Sequence, residues 1–181
     1  GENLWARDST SLTWSVDYDD ALDLWWYEYT FSAPNRALSH IILEVSTNLT
    51  DETLHQYDIW DATPDNWPWE IGDYDDQGQS NPSIHDELHG VKFDAPEEWS
   101  GQTATISFYS RRDPIWGDFY AKDGNDTPTF AWNAGFTAPN DLDPSPGDYP
   151  VQSLVNGDDP TFPNGYYELT DGSNMLWTHL A

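Results

Sequence analysis

Apolar and polar residues alternate along much of the chain, and this period of two is typical of a β-strand with one buried face. The second of four such stretches is the clearest, since every other side chain in it is an aromatic ring, as at Trp25, Tyr27 and Phe31. We predict that each stretch is a long strand directed into a common core. The four stretches are Ser11–Tyr18, Leu24–Ser32, Leu38–Ser46 and Thr103–Ser110. The period of an amphipathic helix is missing, and we expect at most one helical turn, within 47–55.

Shorter segments rich in aromatic and β-branched residues are further strand candidates. They are Tyr57–Trp60, Gly90–Asp94, Ile115–Lys122, Thr129–Phe136, Val151–Val155 and Tyr166–Leu169. Pro, Gly, Asn and Asp separate them, and these are turn-forming residues. The pattern predicts an all-β protein: a single antiparallel β-sandwich, or its jelly-roll form, with long Pro/Gly/Asp-rich loops. We expect one domain over residues 1–181, with 140–165 as a long surface loop or extension.

Composition indicates a folded domain with an acidic surface. Six Lys and Arg against 33 Asp and Glu give a net charge of −27, and 15% of the residues are aromatic. Because aromatic rings supply a large apolar area to bury, we expect a packed core rather than a disordered chain. The negative field repels phosphate, so we expect no nucleic-acid partner. No apolar run approaches the about 20 residues of a membrane span, and without cysteine no disulfide or thiolate metal site can form.

The excess of carboxylates favours calcium, because hard cations bind carboxylate and carbonyl oxygens. The stretch 73–78, Asp-Tyr-Asp-Asp-Gln-Gly, follows the D-x-D-x-x-G opening of a calcium loop. Ile84 stands where such a loop has its final Glu, and two acids lie just beyond it. We predict calcium as the cofactor and expect no organic one. The predicted ligands are Asp73, Asp75, Asp76, Gln77, Asp86 and Glu87. The alternatives are a solvated acidic turn and an acidic surface adapted to high salt.

Two tryptophans and two lysines are further candidates for a function. Trp67 and Trp69 flank Pro68 just before the predicted calcium loop, where they would stack on sugar rings or cap one end of the sandwich. The chain has two lysines, Lys92 and Lys122, and both lie in predicted strands. Asp118 and Lys122 are four residues apart on one strand face, which predicts an ion pair. The alternative is an intramolecular isopeptide bond from a lysine to Asn133 or to an acid.

Four segments resemble those of bacterial exported proteins that carry a PEP-CTERM sorting tail, with the same order and spacing across residues 11–139. They are Ser39–Ser46, Gly90–Asp94, Trp116–Gly124 and Ala131–Phe136, and the third, WGDFYAKDG, is the most specific. The resemblance implies handling by the exosortase machinery and a place at the cell surface or in the extracellular matrix, without an assigned activity. The sorting tail itself is absent from this sequence.

The chain lacks a local catalytic signature such as G-x-S-x-G, and it starts at Gly1, as expected of a mature protein after signal-peptide removal. We therefore expect a non-enzymatic extracellular or cell-surface protein, either a matrix component or a self-assembling filament subunit, stabilised by calcium. A terminal segment, Glu2–Asp8 or Met175–Leu180, would add a strand to a neighbouring copy. The alternatives are a calcium-assisted carbohydrate-binding module that recognises extracellular polysaccharide and, third, a polysaccharide-active enzyme.

Overall fold

The computed structural model describes most of the first 132 residues and two short segments near the C-terminus. The described residues are 11–33, 35–75, 81, 84, 87–124, 130–132, 165–168 and 176–179. The side chains of residues 11, 115–117, 165–168 and 176–179 are not described. These residues form strands, turns and irregular segments without a helix, so none of them belongs to a helix that could cross a membrane.

The described residues contain twelve strands, which form two five-stranded antiparallel sheets and one two-stranded sheet. In chain order they are β1 (Ser11–Asp19), β2 (Leu24–Ser32), β3 (Leu38–Glu44), β4 (Trp60–Thr63), β5 (Trp69–Tyr74), β6 (Leu88–Asp94), β7 (Thr103–Ser110), β8 (Pro114–Gly117), β9 (Phe119–Asp123), β10 (Phe130–Trp132), β11 (Gly165–Glu168) and β12 (Leu176–His179). Sheet A has the order β11-β1-β2-β7-β4, and sheet B has the order β10-β9-β3-β6-β5. The small sheet pairs β12 with β8. The predicted all-β antiparallel sandwich is confirmed.

The inner faces of the two sheets form one hydrophobic core. Alternate residues of β2, among them Tyr27 and Phe31, are buried there against residues of sheet B such as Ile41 and Phe93. The ring of Phe93 in sheet B stacks on that of Phe108 in sheet A, with centroids 6.0 Å apart. Burial of this many large side chains is the main favourable contribution to folding. The predicted inward faces of the four long strands are therefore confirmed, except at Tyr18 near the end of β1, which is 44% exposed.

The long strands end within one or two residues of their predicted limits, whereas the shorter ones differ more. The segment predicted as a strand at Tyr57–Trp60 begins in a turn instead, because the Asp58 N–H bonds to the His55 carbonyl and the Asp58 carboxylate accepts from the His55 N–H. The strand that was expected there, β4, starts at Trp60. Residues 47–55 contain turns but no helix.

Two other differences concern a predicted strand that is split in two and a strand that was not predicted. The segment predicted as one strand at Ile115–Lys122 is split at the buried Asp118, whose carbonyl accepts a hydrogen bond from the Glu44 N–H, so that β8 and β9 belong to different sheets. β5 was not predicted as a strand, and its last two residues, Asp73 and Tyr74, were assigned to the calcium loop. The candidate Val151–Val155 and the loop predicted at 140–165 lie outside the described residues.

Candidate functional site

The segment predicted to bind calcium begins on a strand rather than in a loop. Asp73 lies in β5 opposite His89 of β6, and the next pair is Tyr74 with Leu88. Asp75 directly follows β5, and Glu87 directly precedes β6. Two parts of the predicted ligand set therefore lie next to the same end of this strand pair. Asp76, Gln77 and Asp86 lie outside the described residues.

Asp73 has a protein partner that the sequence did not indicate. Its Oδ1 atom lies 2.7 Å from Nδ1 of His89, and Nε2 of the same ring lies 2.8 Å from the Leu49 carbonyl oxygen. The carbonyl oxygen can only accept, so Nε2 carries a hydrogen and donates it. Both ring nitrogens of His89 are therefore engaged, and the imidazole links the β5–β6 hairpin to the loop after β3. Among the residues that the structure describes, no three His, Cys, Asp or Glu side chains are grouped closely enough to hold a metal ion.

The two tryptophans proposed for sugar stacking have different environments. Trp67 is 3% exposed and packs in the main core, where its ring meets that of Trp99 edge to face with centroids 5.2 Å apart. Trp69 is half-buried in β5 and contacts the same core. Trp67 therefore has no face open to a sugar, and its position is that of the alternative interpretation, a ring that caps the sandwich.

The two lysines lie on the outer face of sheet B, where each has a contact different from the predicted one. The Lys92 ammonium pairs with Oδ1 of Asp94 at 3.1 Å, and the Lys122 ammonium donates to the Asp123 carbonyl at 3.0 Å. Asp118, the predicted partner of Lys122, is fully buried between β8 and β9. Asn133, the candidate for an isopeptide bond, lies outside the described residues.

His40 lies between these lysines on the same face and is 5% exposed. Its Nε2 atom donates to the side-chain oxygen of Asn81 at 2.8 Å. Burial, followed by the positive charge of Lys92, lowers the pKa of His40 to about 4. The imidazole is therefore neutral at pH 7, which agrees with the plain structural role of a hydrogen-bonded core-edge histidine.

A charged cluster fixes the long loop that follows β3 to the end of β7. Oδ1 of the fully buried Asp58 lies 2.6 Å from Nε of Arg111 and 3.2 Å from Nε of Arg112. Arg112 also donates to the Asn48 side-chain oxygen at 2.6 Å. Burial alone would raise the pKa of Asp58, but the hydrogen bonds from Arg111 and the His55 N–H, with the two arginine charges, lower it overall. Charges that are paired in this way hold a loop in place.

The edges of the two sheets differ in how well they could accept another strand. In sheet A, β4 pairs with β7 through an irregular register, and Asp61 within it has a left-handed φ of 52°. In sheet B, β5 keeps a regular register with β6 over all six of its residues. We call the side of Trp69–Tyr74 that faces away from β6 the β5 edge. Exposed Glu70 and Asp73 give this edge a negative charge.

No protein family, curated protein or solved structure matches this chain. The resemblance to exported surface proteins with a PEP-CTERM tail therefore stays a prediction.

Proposed function

We propose that this protein is a non-enzymatic structural and interaction protein of the cell surface or extracellular matrix, which self-associates by strand addition at the β5 edge. The main observation in support is the position of β5, a regular six-residue strand at the edge of sheet B. An edge strand presents backbone N–H and C=O groups that an incoming strand can pair with. The added strand would extend sheet B from one copy into the next.

The β5 edge suits this role better than the other sheet edges in the described part of the chain. β10 has three residues, β11 has four, and β4 has four with an irregular register. A longer strand in regular register can form more inter-chain hydrogen bonds with an incoming strand.

Charge would make the association depend on cations. Two copies that each carry a net charge of −27 repel one another, and Glu70 and Asp73 add negative charge at the edge itself. Asp73 lies in β5 itself and is one of the predicted calcium ligands, so calcium bound through it would lower the repulsion where the strand is added. Calcium is thus proposed both as a ligand of the hairpin and as a condition for assembly.

The incoming strand is proposed to be the N-terminal segment Glu2–Asp8. The other terminal candidate overlaps β12, and Leu176–His179 pairs with β8 of its own chain. Removal of residues 1–8 should therefore abolish assembly and leave the folded monomer, as judged by light scattering and circular dichroism. Assembly that is undiminished by this deletion would exclude the N-terminal segment as the donor.

Cysteine cross-linking tests the location of the contact, because the chain has no cysteine of its own. Ala6→Cys places one thiol in the donor segment, and it is mixed with Glu70→Cys, which places one on β5, or with Glu98→Cys, an exposed position in the turn before β7, as the matched control. With calcium present and a mild oxidant, we expect disulfides between Ala6→Cys and Glu70→Cys well in excess of those between Ala6→Cys and Glu98→Cys. Equal cross-linking in the two mixtures, or a monomer at all calcium concentrations, would contradict the proposal.

A further inference from the structure

A row of aromatic side chains crosses the outer face of sheet A. Trp26 of β2, Tyr109 of β7 and Trp60 of β4 are neighbours in register, and the row continues through Tyr57 to His55. Successive ring centroids along it are 4.7, 5.7, 5.6 and 5.8 Å apart. We call these five residues the aromatic stripe. Each ring touches the next, so the stripe is a continuous track rather than a set of separate rings.

The stripe is on the solvent side of the sheet. Tyr27 and Phe108, the neighbours of Trp26 and Tyr109 in sequence, point into the core, so the alternation of each strand directs the stripe residues outward. The rings remain partly accessible, and Tyr57 is 37% exposed. A connected group of accessible aromatic rings on a folded domain is characteristic of a binding surface.

The rest of this face is polar and hydroxyl-rich. Thr30 and Thr105 are hydrogen-bonded across the strands at 2.9 Å, and Ser32 and Thr103 at 3.0 Å. The stripe is therefore an aromatic strip within an otherwise Ser/Thr-rich surface.

Acidic side chains flank the stripe where it reaches β1 and β2. Asp17 pairs in register with Trp26, and Glu28 lies two residues from Trp26 on the same face. Carboxylates accept hydrogen bonds from hydroxyl groups, and aromatic faces attract the slightly positive C–H groups of a sugar ring. Sugar rings present both kinds of group. Both lysines of the chain lie in sheet B, and Arg111, beside Tyr57, is already paired with Asp58.

We propose that the aromatic stripe binds a single chain of an uncharged polysaccharide, with sugar rings packed on Trp60, Tyr109 and Trp26 and their hydroxyls bonded to Asp17 and Glu28. The net negative charge of the protein disfavours uronate or sulfate polymers. The rings are tilted by 43–72° from one another, which suits a twisted individual chain, whereas a crystalline polysaccharide surface requires coplanar rings.

Calorimetric titration of the whole chain with soluble neutral oligosaccharides tests this proposal. The probes are cellohexaose, xylohexaose, laminarihexaose and chitohexaose, with an alginate oligosaccharide as the anionic comparison. We expect at least one neutral oligosaccharide to bind, and the alginate oligosaccharide not to bind. Trp60→Ala should lower the affinity for the neutral oligosaccharide by about tenfold or more, because a central tryptophan supplies much of the contact. Failure of all the neutral oligosaccharides to bind would overturn the proposal.

Two tyrosines at exposed positions provide a matched pair of variants. Tyr57 in the stripe and Tyr18 outside it are 37% and 44% exposed, and each meets a tryptophan edge to face, at 5.6 and 5.1 Å. Tyr57→Ala should lower the affinity for the neutral oligosaccharide several-fold, while Tyr18→Ala should leave this affinity unchanged. Equal effects of the two variants would overturn the proposal. The same holds if Tyr57→Ala changes the oligomeric state and not the sugar affinity, since the stripe would then be a protein interface. The β5 edge lies in the other sheet, so either proposal can fail without the other.

Discussion

At the scale of single residues, a few buried polar groups hold separate segments of the chain together. His89 connects Asp73 to the Leu49 carbonyl, and Asp58 is held by two arginines. The sequence could not have indicated these contacts, because the partners lie between 16 and 54 positions apart. Thirty-three acids make every choice of a carboxylate pair from sequence arbitrary.

His40 should make the stability of the domain depend on pH. In the folded state its pKa is lowered to about 4, while the unfolded chain has the ordinary value of about 6.5. Between these values the unfolded chain binds a proton that the folded protein does not, so stability falls as the pH falls. We expect a loss of about 3 kcal/mol from this one residue between pH 6.5 and pH 4.

Urea unfolding of the wild type and of His40→Gln measures this contribution. The glutamine amide can still donate to Asn81 but does not titrate in this range. The free energy of unfolding of the wild type should fall more steeply towards pH 4 than that of the variant. Parallel pH profiles for the two proteins would show that His40 is not the cause.

At the scale of strands, the alternation of apolar and polar residues predicted the long strands, because each of them buries one face in the core. The long strands Leu24–Ser32 and Thr103–Ser110 occur with the limits that the sequence indicates. β5 was missed because Glu70, Gly72 and Asp73 have low strand propensity, although Trp69 and Ile71 alternate with them. The split between β8 and β9 was missed since it depends on the burial of Asp118, a tertiary effect.

Two glycines that face each other in the β5–β6 pair should respond differently to substitution. Gly72 and Gly90 are partners in register. A Cβ atom at Gly90 would lie 2.5 Å from the Leu43 carbonyl oxygen and 2.8 Å from Cγ2 of Ile42, whereas at Gly72 the nearest atoms are 3.4 Å away on the Tyr74 ring. Gly90→Ala should therefore lower the free energy of unfolding by about 1–3 kcal/mol, as overpacking typically does.

Gly72→Ala is the matched control and should change stability by less than Gly90→Ala. Thermal or urea unfolding of both variants gives the comparison directly. If Gly90→Ala is as stable as Gly72→Ala, then β3 does not lie as close to Gly90 of β6 as described.

At the scale of the whole molecule, the protein combines the apolar core of a β-sandwich with a strongly negative net charge. The core of two antiparallel sheets could be predicted from the sequence, because alternation and aromatic content both require it. The aromatic stripe could not, since Trp26, Tyr109 and Trp60 become neighbours only through the strand order of sheet A.

Amide hydrogen exchange, followed by mass spectrometry before and after calcium-induced assembly, tests whether β5 is the strand through which copies associate. If a strand is added at the β5 edge, the backbone amides of Trp69–Tyr74 gain partners, and their exchange should slow on assembly while that of the central strand β2 stays unchanged. Unchanged exchange in Trp69–Tyr74 on assembly, with new protection confined to other strands, would contradict the account.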